Sequence, residues 1–306
     1  MAQASGYYYD MDGFLHGKVG TEKKILICIG SKKSKTIKDG KEVITVEFQS
    51  TAVSTIPFDD FLEMAATTWG ESSSHRNTVS ETDLENEALA LAYCIMNYKH
   101  KRNHDQPGGY SPANIKQICT DMKAYASGKP PYKNFKTAFN ADPEKLNGTR
   151  MQNHIKSSLF AHLKEVGMPK STIESSDNSI LGGALLGILA FYQVMINFDY
   201  AYGAILWDGE DLKTNKSHPK VAQGYLVADK KHNVMNIESK KVNKCNIVRS
   251  QKDLSWTEKR CYEYMYETTC GFANSTFVKL NIKYEESIIH PSWTMKDGSY
   301  VLGTWW

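Results

Sequence analysis

Five consecutive residues, Trp69-Gly70-Glu71-Ser72-Ser73, set a carboxyl group beside an indole, a glycine and two hydroxyls. The residues ahead of them predict a helix. Thr55 suits its cap, Pro57 its first turn and Asp59 and Asp60 its positive end, while Phe58, Phe61, Leu62, Ala65 and Trp69 make one apolar stripe. Gly70 then reads as the stop. On this reading Glu71 sits just past the helix C-terminus, where the negative end of the dipole and the neighbouring indole disfavour its ionised form. A carboxyl kept protonated near neutral pH is what general-acid catalysis requires.

The elements that must position Glu71 follow from the pattern on either side. Residues 1–50 read as a strand-rich lead-in: Tyr7-Tyr8-Tyr9, a turn at Asp10-Met11-Asp12-Gly13, an apolar run from Ile25 to Ile29, and alternation from Val43 to Phe48 after Asp39-Gly40. Lys32-Lys33-Ser34-Lys35 is expected at a solvated hairpin tip. After Glu71, the polar segment from Ser72 to Ser80 reads as a loop that could wall a cleft, with His75 as a solvated residue.

A second helix is expected from about Leu84, with Thr82 and Glu85 spaced as a capping box and Leu84, Ala88, Leu91, Ala92 and Ile95 on one face. It should end near Lys99-His100-Lys101-Arg102, leaving Asn103-His104-Asp105 as loop. Residues 111–127 predict a helix, followed by a Gly-Lys-Pro-Pro turn. A further helical pattern runs from Pro143 to Val166.

Ile180 to Phe198 carries no charge over 19 positions, which is long enough for a membrane span. Gly182, Gly183, Gly187, Gln193 and Asn197 interrupt it, acidic Asp177 and Asp199 flank it, and no basic cluster orients it, so a buried central helix is the better reading. Strand-like patterns follow at Tyr200 to Trp207, Gln223 to Ala228 and within residues 255–284. Between Lys230 and Lys252 there are seven basic residues and one acid, Glu238. That stretch is either a surface for an acidic partner or a lysine-protected strand edge. Trp293, Trp305 and Trp306 either seal a core edge or face a carbohydrate.

Bulk properties narrow the class. At 306 residues and 41% hydrophobic content the chain can bury a sizeable core. Its +3 formal charge makes no demand for nucleic acid. None of the six cysteines forms a CxxC pair, which removes zinc-ribbon and thioredoxin-like readings, and no cofactor or metal set is expected. Cys94 reads as core. Cys261 and Cys270 either pair in an oxidising space or remain buried thiols. The first residues have neither a basic nor an apolar segment of signal-peptide type.

Ala65-x-x-x-Trp69-Gly70-Glu71-Ser72-Ser73, followed by Asn86-Glu87-Ala88-Leu89-Ala90-Leu91-Ala92-Tyr93-Cys94-Ile95-Met96-Asn97, resembles the catalytic segment of bacterial cell-wall hydrolases of the spore-cortex-lytic, lysozyme-like type. The family closes the second helix on Asn-Arg, whereas Tyr98 follows Asn97 here. Asp199-Tyr200-Ala201-Tyr202-Gly203-Ala204, continuing through Trp207, Asp208 and Asp211, is similar to the family's Asp-x-x-x-Gly-Ala segment without its Asp-Pro-Thr opening. The start, Tyr7 to Val19, looks like that of hydrolase toxins carried by contractile injection machines such as the type VI secretion system.

The resemblance implies an α+β fold: a mainly helical, lysozyme-like catalytic core over residues 51–306, with a β-rich segment at 1–50 and a small β portion toward the C-terminus. It implies cleavage of the peptidoglycan glycan strand, by a muramidase or lytic transglycosylase, with Glu71 as general acid. Ser73, Asn97, Asp199, Tyr202, Trp207, Asp208 and Asp211 become the candidate substrate-binding residues. Tyr202 and Trp207 would stack on sugar, Asn97 would orient Glu71 or an acetamido group, and Asp199, Asp208 and Asp211 are candidates for a second carboxylate. Asp208-Gly209 reads equally well as a plain turn. The implied partners are peptidoglycan, an immunity protein and a secretion-machine component, with action in the target periplasm and neither nucleic acid nor stable membrane insertion. The alternatives are a peptidoglycan amidase or peptidase, a pore-forming toxin using Ile180 to Phe198, and a wall-binding module without activity.

Overall fold

A computed structural model describes residues 5–10, 15–28, 31–38, 41–48, 52–73, 79–105, 113–122, 126–141, 199–228, 230–231, 233–249 and 257–288. The chain is α+β and divides into two compact units, one of residues 1–81 with 119–198 and one of 82–118 with 199–306.

In the first unit, β1 (Gly6–Asp10), β2 (Leu15–Val19), β3 (Lys24–Cys28) and β6 (Ala52–Pro57) form a sheet in the order β2-β1-β3-β6. β1 and β3 run parallel and the other pairs antiparallel. The pleat sends successive side chains to opposite faces. Tyr9 therefore stacks on Phe61, while Tyr8 packs with Leu26 and Val19. The basic run Lys32 to Lys35 is not a tip. It lies inside β4 (Ser31–Lys38), paired along its whole length with β5 (Lys41–Phe48). Asp39-Gly40, the stronger turn pair, follows it in sequence.

Helix α1 (Phe58–Glu71) starts where β6 ends. Pro57 is itself the N-cap, and Thr55 stays in the strand opposite Leu26. Asp59 and Asp60 supply the negative charge of the first turn. The five stripe residues are buried, and so is every residue from Phe61 to Gly70, so α1 is enclosed on all sides. Gly70 does not stop the helix. Closure comes at Ser72, whose backbone N–H donates to Thr68 O at 3.0 Å and whose hydroxyl donates to Trp69 O at 3.0 Å. The Ser72 hydroxyl and backbone N–H thus satisfy two late carbonyls that a glycine-led reversal would otherwise serve.

The segment expected as a Gly-Lys-Pro-Pro turn holds a short 3-10 turn (Ala126–Gly128) and then α4 (Pro130–Ala141). Proline lacks an N–H and has a fixed φ, so it fits a first helical turn, where that N–H would have no partner. α4 brings Phe139 to 5.6 Å from Phe58 and 5.5 Å from Phe61, ring centre to ring centre. It also brings two partners to the buried Glu63 of α1: the Tyr132 hydroxyl donates at 2.9 Å, and the Lys136 ammonium pairs with the other carboxylate oxygen. Burial, and next the Glu63 charge, push the Tyr132 phenol well above its usual range, keeping it a donor.

In the second unit, α2 (Glu81–Asp105) begins before the expected cap and runs on through Asn103-His104-Asp105. The basic cluster does not end it; Lys101 instead pairs with Glu285 at 2.7 Å. Of the helix expected over 111–127, the described part is α3 (Ile115–Met122). A second four-stranded sheet has the order β7 (Leu206–Asp208), β12 (Ser275–Leu280), β11 (Tyr266–Phe272), β8 (Tyr225–Leu226). The strand expected from Tyr200 is therefore only its last part. Ile205, Tyr225, Ile237, Tyr266 and Val278 form the core beneath this sheet.

β9 (Lys244–Arg249) and β10 (Thr257–Tyr262) form an antiparallel pair in which Cys245 and Cys261 stand opposite each other and are disulfide-bonded. Register thus gives Cys261 a partner other than Cys270, which is a buried free thiol like Cys94 and Cys119. The turn at residues 11–13, His75, the pattern Pro143 to Val166, the apolar stretch Ile180 to Phe198, and Trp293, Trp305 and Trp306 lie outside the described residues. Among the described residues no helix is long and apolar enough to cross a membrane.

Tyr132→Phe removes a donor from a buried carboxylate without opening a cavity. Urea unfolding should show a loss of about 1–2 kcal/mol, and an unchanged midpoint would mean that α4 does not fasten α1 through Glu63.

Candidate functional site

Glu71 is the last residue of α1 and the first half-buried position after ten buried ones. It lies within the last helical turn rather than past it, and no basic residue shares that turn. The Trp69 indole is buried two residues earlier, and Ser72 and Ser73 after it are buried as well. The helix axis and the Ser72 closure therefore fix where this carboxyl emerges. Glu71 and Ser73 belong to the first unit and the remaining candidates to the second.

In the second unit Asn97 and Asp199, 102 positions apart, meet. The Asn97 amide donates to Asp199 Oδ2 at 3.1 Å and to Ala204 O at 3.0 Å, so both of its N–H groups are committed to holding this loop. Asp199 accepts in addition from the backbone N–H of Ala201 at 2.8 Å and of Gly203 at 2.7 Å. Its carboxylate thereby organises the turn from Tyr200 to Ala204. Thr269 Oγ1 donates to Ala201 O at 2.7 Å, and the Cys270 thiol contacts Tyr200 O at 3.6 Å. At the tip Tyr202 has φ of 51°, a left-handed conformation uncommon for a residue with a side chain, and its ring is 53% exposed. Gly203 follows at φ 79°.

The turn feeds Ile205 onto β12, where its N–H donates to Val278 O at 3.0 Å, and so sets β7 and the half-buried Trp207. Asp208 ends β7, and Asp211 opens the single-turn helix α5 (Asp211–Thr214). His218 caps α6 (Pro219–Gln223), its Nδ1 accepting from the Lys220 N–H at 3.2 Å. His218 Nε2 lies 3.3 Å from Asp208 Oδ1 and 3.5 Å from Asp211 Oδ2, and the Lys220 ammonium pairs with Asp208 Oδ2. Burial raises the Asp208 carboxyl above its ordinary value, and Lys220 and then His218 offset only part of that. Among the described residues, Asp208, Asp211 and His218 are the trio whose ligand atoms converge closely enough to hold a metal ion.

His218 and Lys220 were not legible as site residues. Their signal was a His-Pro step opening a helix seven residues after Asp211, which does not resemble a closely spaced metal motif. The buried Glu87, which accepts from Ser275 Oγ at 2.7 Å, was equally hidden inside an Ala- and Leu-rich helix face. No family model, curated protein or solved structure matches the chain.

Two outcomes follow from this geometry. Asn97→Ala withdraws two hydrogen bonds from the turn and should lower unfolding stability by about 1–3 kcal/mol; an unaltered urea midpoint would contradict the role given to it. Burial pushes the Cys270 thiol from 9.0 up to about 12. Because the folded value lies above the unfolded one, the stability linked to this group is complete below pH 9 and is lost as pH rises toward 12. A disulfide-exchange reagent at pH 9 should leave Cys270 unlabelled until urea unfolds the protein, and prompt labelling of the native state would contradict that.

Proposed function

We propose that the chain cleaves the glycan strand of peptidoglycan, with Glu71 as the general acid. The observation that carries this reading is the setting of Glu71, a half-buried carboxyl at the end of a helix buried from Phe61 to Gly70, with no basic residue in its turn. Such a group can give its proton to the glycosidic oxygen as the bond between N-acetylmuramic acid and N-acetylglucosamine breaks. The meeting of Asn97 with the Asp199–Ala204 turn supports the reading, because these are the other two segments of the resemblance.

Asp199 has both oxygens engaged by donors, and Asp208 is tied to Lys220. With these two carboxylates engaged, the proposal gives the support of the oxocarbenium-like state to Asp211, to the substrate's own acetamido group or to a sugar hydroxyl. Tyr202, exposed at the tip of its turn, is the sugar-stacking residue in this proposal, with Trp207 as the second aromatic. Ser73 in the first unit and Asp211 in the second are further candidate contacts, each within its own unit. The Cys245–Cys261 disulfide fits work in an oxidising space such as a periplasm, and with it delivery as an antibacterial effector held in check by an immunity protein.

Glu71→Gln keeps the shape of the side chain and removes the proton donor. Release of soluble muropeptides from purified sacculi should fall by about 100-fold or more while circular dichroism is unchanged. Undiminished release by a folded Glu71→Gln protein would rule out Glu71 as the acid.

A further inference from the structure

We propose that Asp208, Asp211 and His218 form a binding site for a divalent transition-metal cation of the zinc class. The three side chains come from three fixed points: the end of β7, the first residue of α5 and the cap of α6. Their ligand atoms all lie within 4.8 Å of one another. His218 Nε2 stands 3.3 Å from Asp208 Oδ1 and 3.5 Å from Asp211 Oδ2. Both separations are longer than a good N–H···O bond, about 2.7–3.2 Å. They match the edge of a tetrahedron with metal–ligand bonds of about 2.0–2.1 Å, which is roughly 3.3–3.4 Å. The atoms are spaced to share an ion.

A second observation points to the same place. Thr276 faces Asp208 across the β7–β12 ladder, so the two side chains share a face of the sheet. Thr276 is 3% exposed, and its Oγ1 has no hydrogen-bond partner among the described residues. A buried hydroxyl without a partner is costly and calls for one. A water or ligand oxygen on the ion would provide it.

The surroundings tune the site. Lys220 holds Asp208 Oδ2 and leaves Oδ1 for the ion, as an outer partner orients a ligating carboxylate. Asp211, at 60% exposed, leaves the fourth position open toward solvent. An imidazole nitrogen with two carboxylates favours zinc over magnesium, which prefers oxygen and retains its waters. His218 Nδ1 accepts from the Lys220 N–H, which assigns the ring proton of a neutral imidazole to Nε2. Binding moves that proton to Nδ1, and the Lys220 N–H gives up its acceptor. Occupancy is thereby coupled to the first turn of α6.

Isothermal titration of the full, chelator-treated chain tests this without any activity, so its outcome is separate from the Glu71 reading. Zn²⁺ should bind the wild type with one-to-one stoichiometry, at least tenfold more tightly than Mg²⁺. Asp211→Asn, an exposed change that leaves the fold intact, should weaken Zn²⁺ at least tenfold, and Thr276→Val several-fold. The amide resonance of Lys220 should move on Zn²⁺ addition. No Zn²⁺ binding by the wild type, equal binding by Asp211→Asn, or Mg²⁺ binding as tight as Zn²⁺ would each overturn the proposal.

Discussion

The second unit depends on the Asp199 carboxylate. It gathers the Asn97 amide and the backbone N–H groups of Ala201 and Gly203 into one cluster, and a carboxylate so served fixes the direction of every peptide around it. Thr269 and Cys270 secure the opposite carbonyls from β11. Only with that turn set does Ile205 meet Val278, and only then does β7 arrive in register to put Asp208 across from Thr276. A charged group with three hydrogen bonds from its neighbours thus decides where Trp207, Asp208 and Asp211 stand. Tyr202 is carried at the tip by the same constraint, in a backbone conformation that a free chain would rarely adopt.

The first unit solves a different problem, that of ending a helix buried on all sides from Phe61 to Gly70 at a polar residue. Burial of Phe61 through Gly70 holds α1, and the stacked rings of Phe58, Phe61, Phe135 and Phe139 account for much of that packing. Glu63 is a charge inside this apolar setting, and it is tolerated because Tyr132 and Lys136 both reach it. Those contacts tie α1 to α4, and with them the point at which Glu71 leaves the helix. In the proposed reaction that rigidity matters, since a proton donor must lie within hydrogen-bond reach of the oxygen it serves.

The parts legible in the sequence were those set by local periodicity. The apolar spacing of Phe58 to Trp69 defined α1, and the Tyr7–Tyr9 and Ile25–Ile27 runs defined central strands, because burial selects residue type position by position. The misreadings came where two local rules competed. Gly70 carried the usual signal for a helix end, yet Ser72 could close the helix with its own hydroxyl. Pro130-Pro131 carried a turn signal, yet proline also opens helices. Lys32 to Lys35 looked like a solvated tip because charge dominates a local reading, while pairing with β5 is a long-range fact. The cysteine pairing followed from register between β9 and β10, which spacing alone does not encode. Asn97 and Asp199 came together as candidates only through their likeness to a family pattern, and His218 and Lys220 had no such guide.

Each unit carries its own polar constellation, one built on Glu71 and the other on Asp199 and Asp208. We propose that the first of these breaks the peptidoglycan glycan strand. Mass spectrometry of the soluble products from purified peptidoglycan incubated with the wild-type chain tests it most directly. The account predicts disaccharide-containing fragments, cut between N-acetylmuramic acid and N-acetylglucosamine, with every stem peptide intact. Free or shortened stem peptides alongside unbroken glycan strands would contradict it.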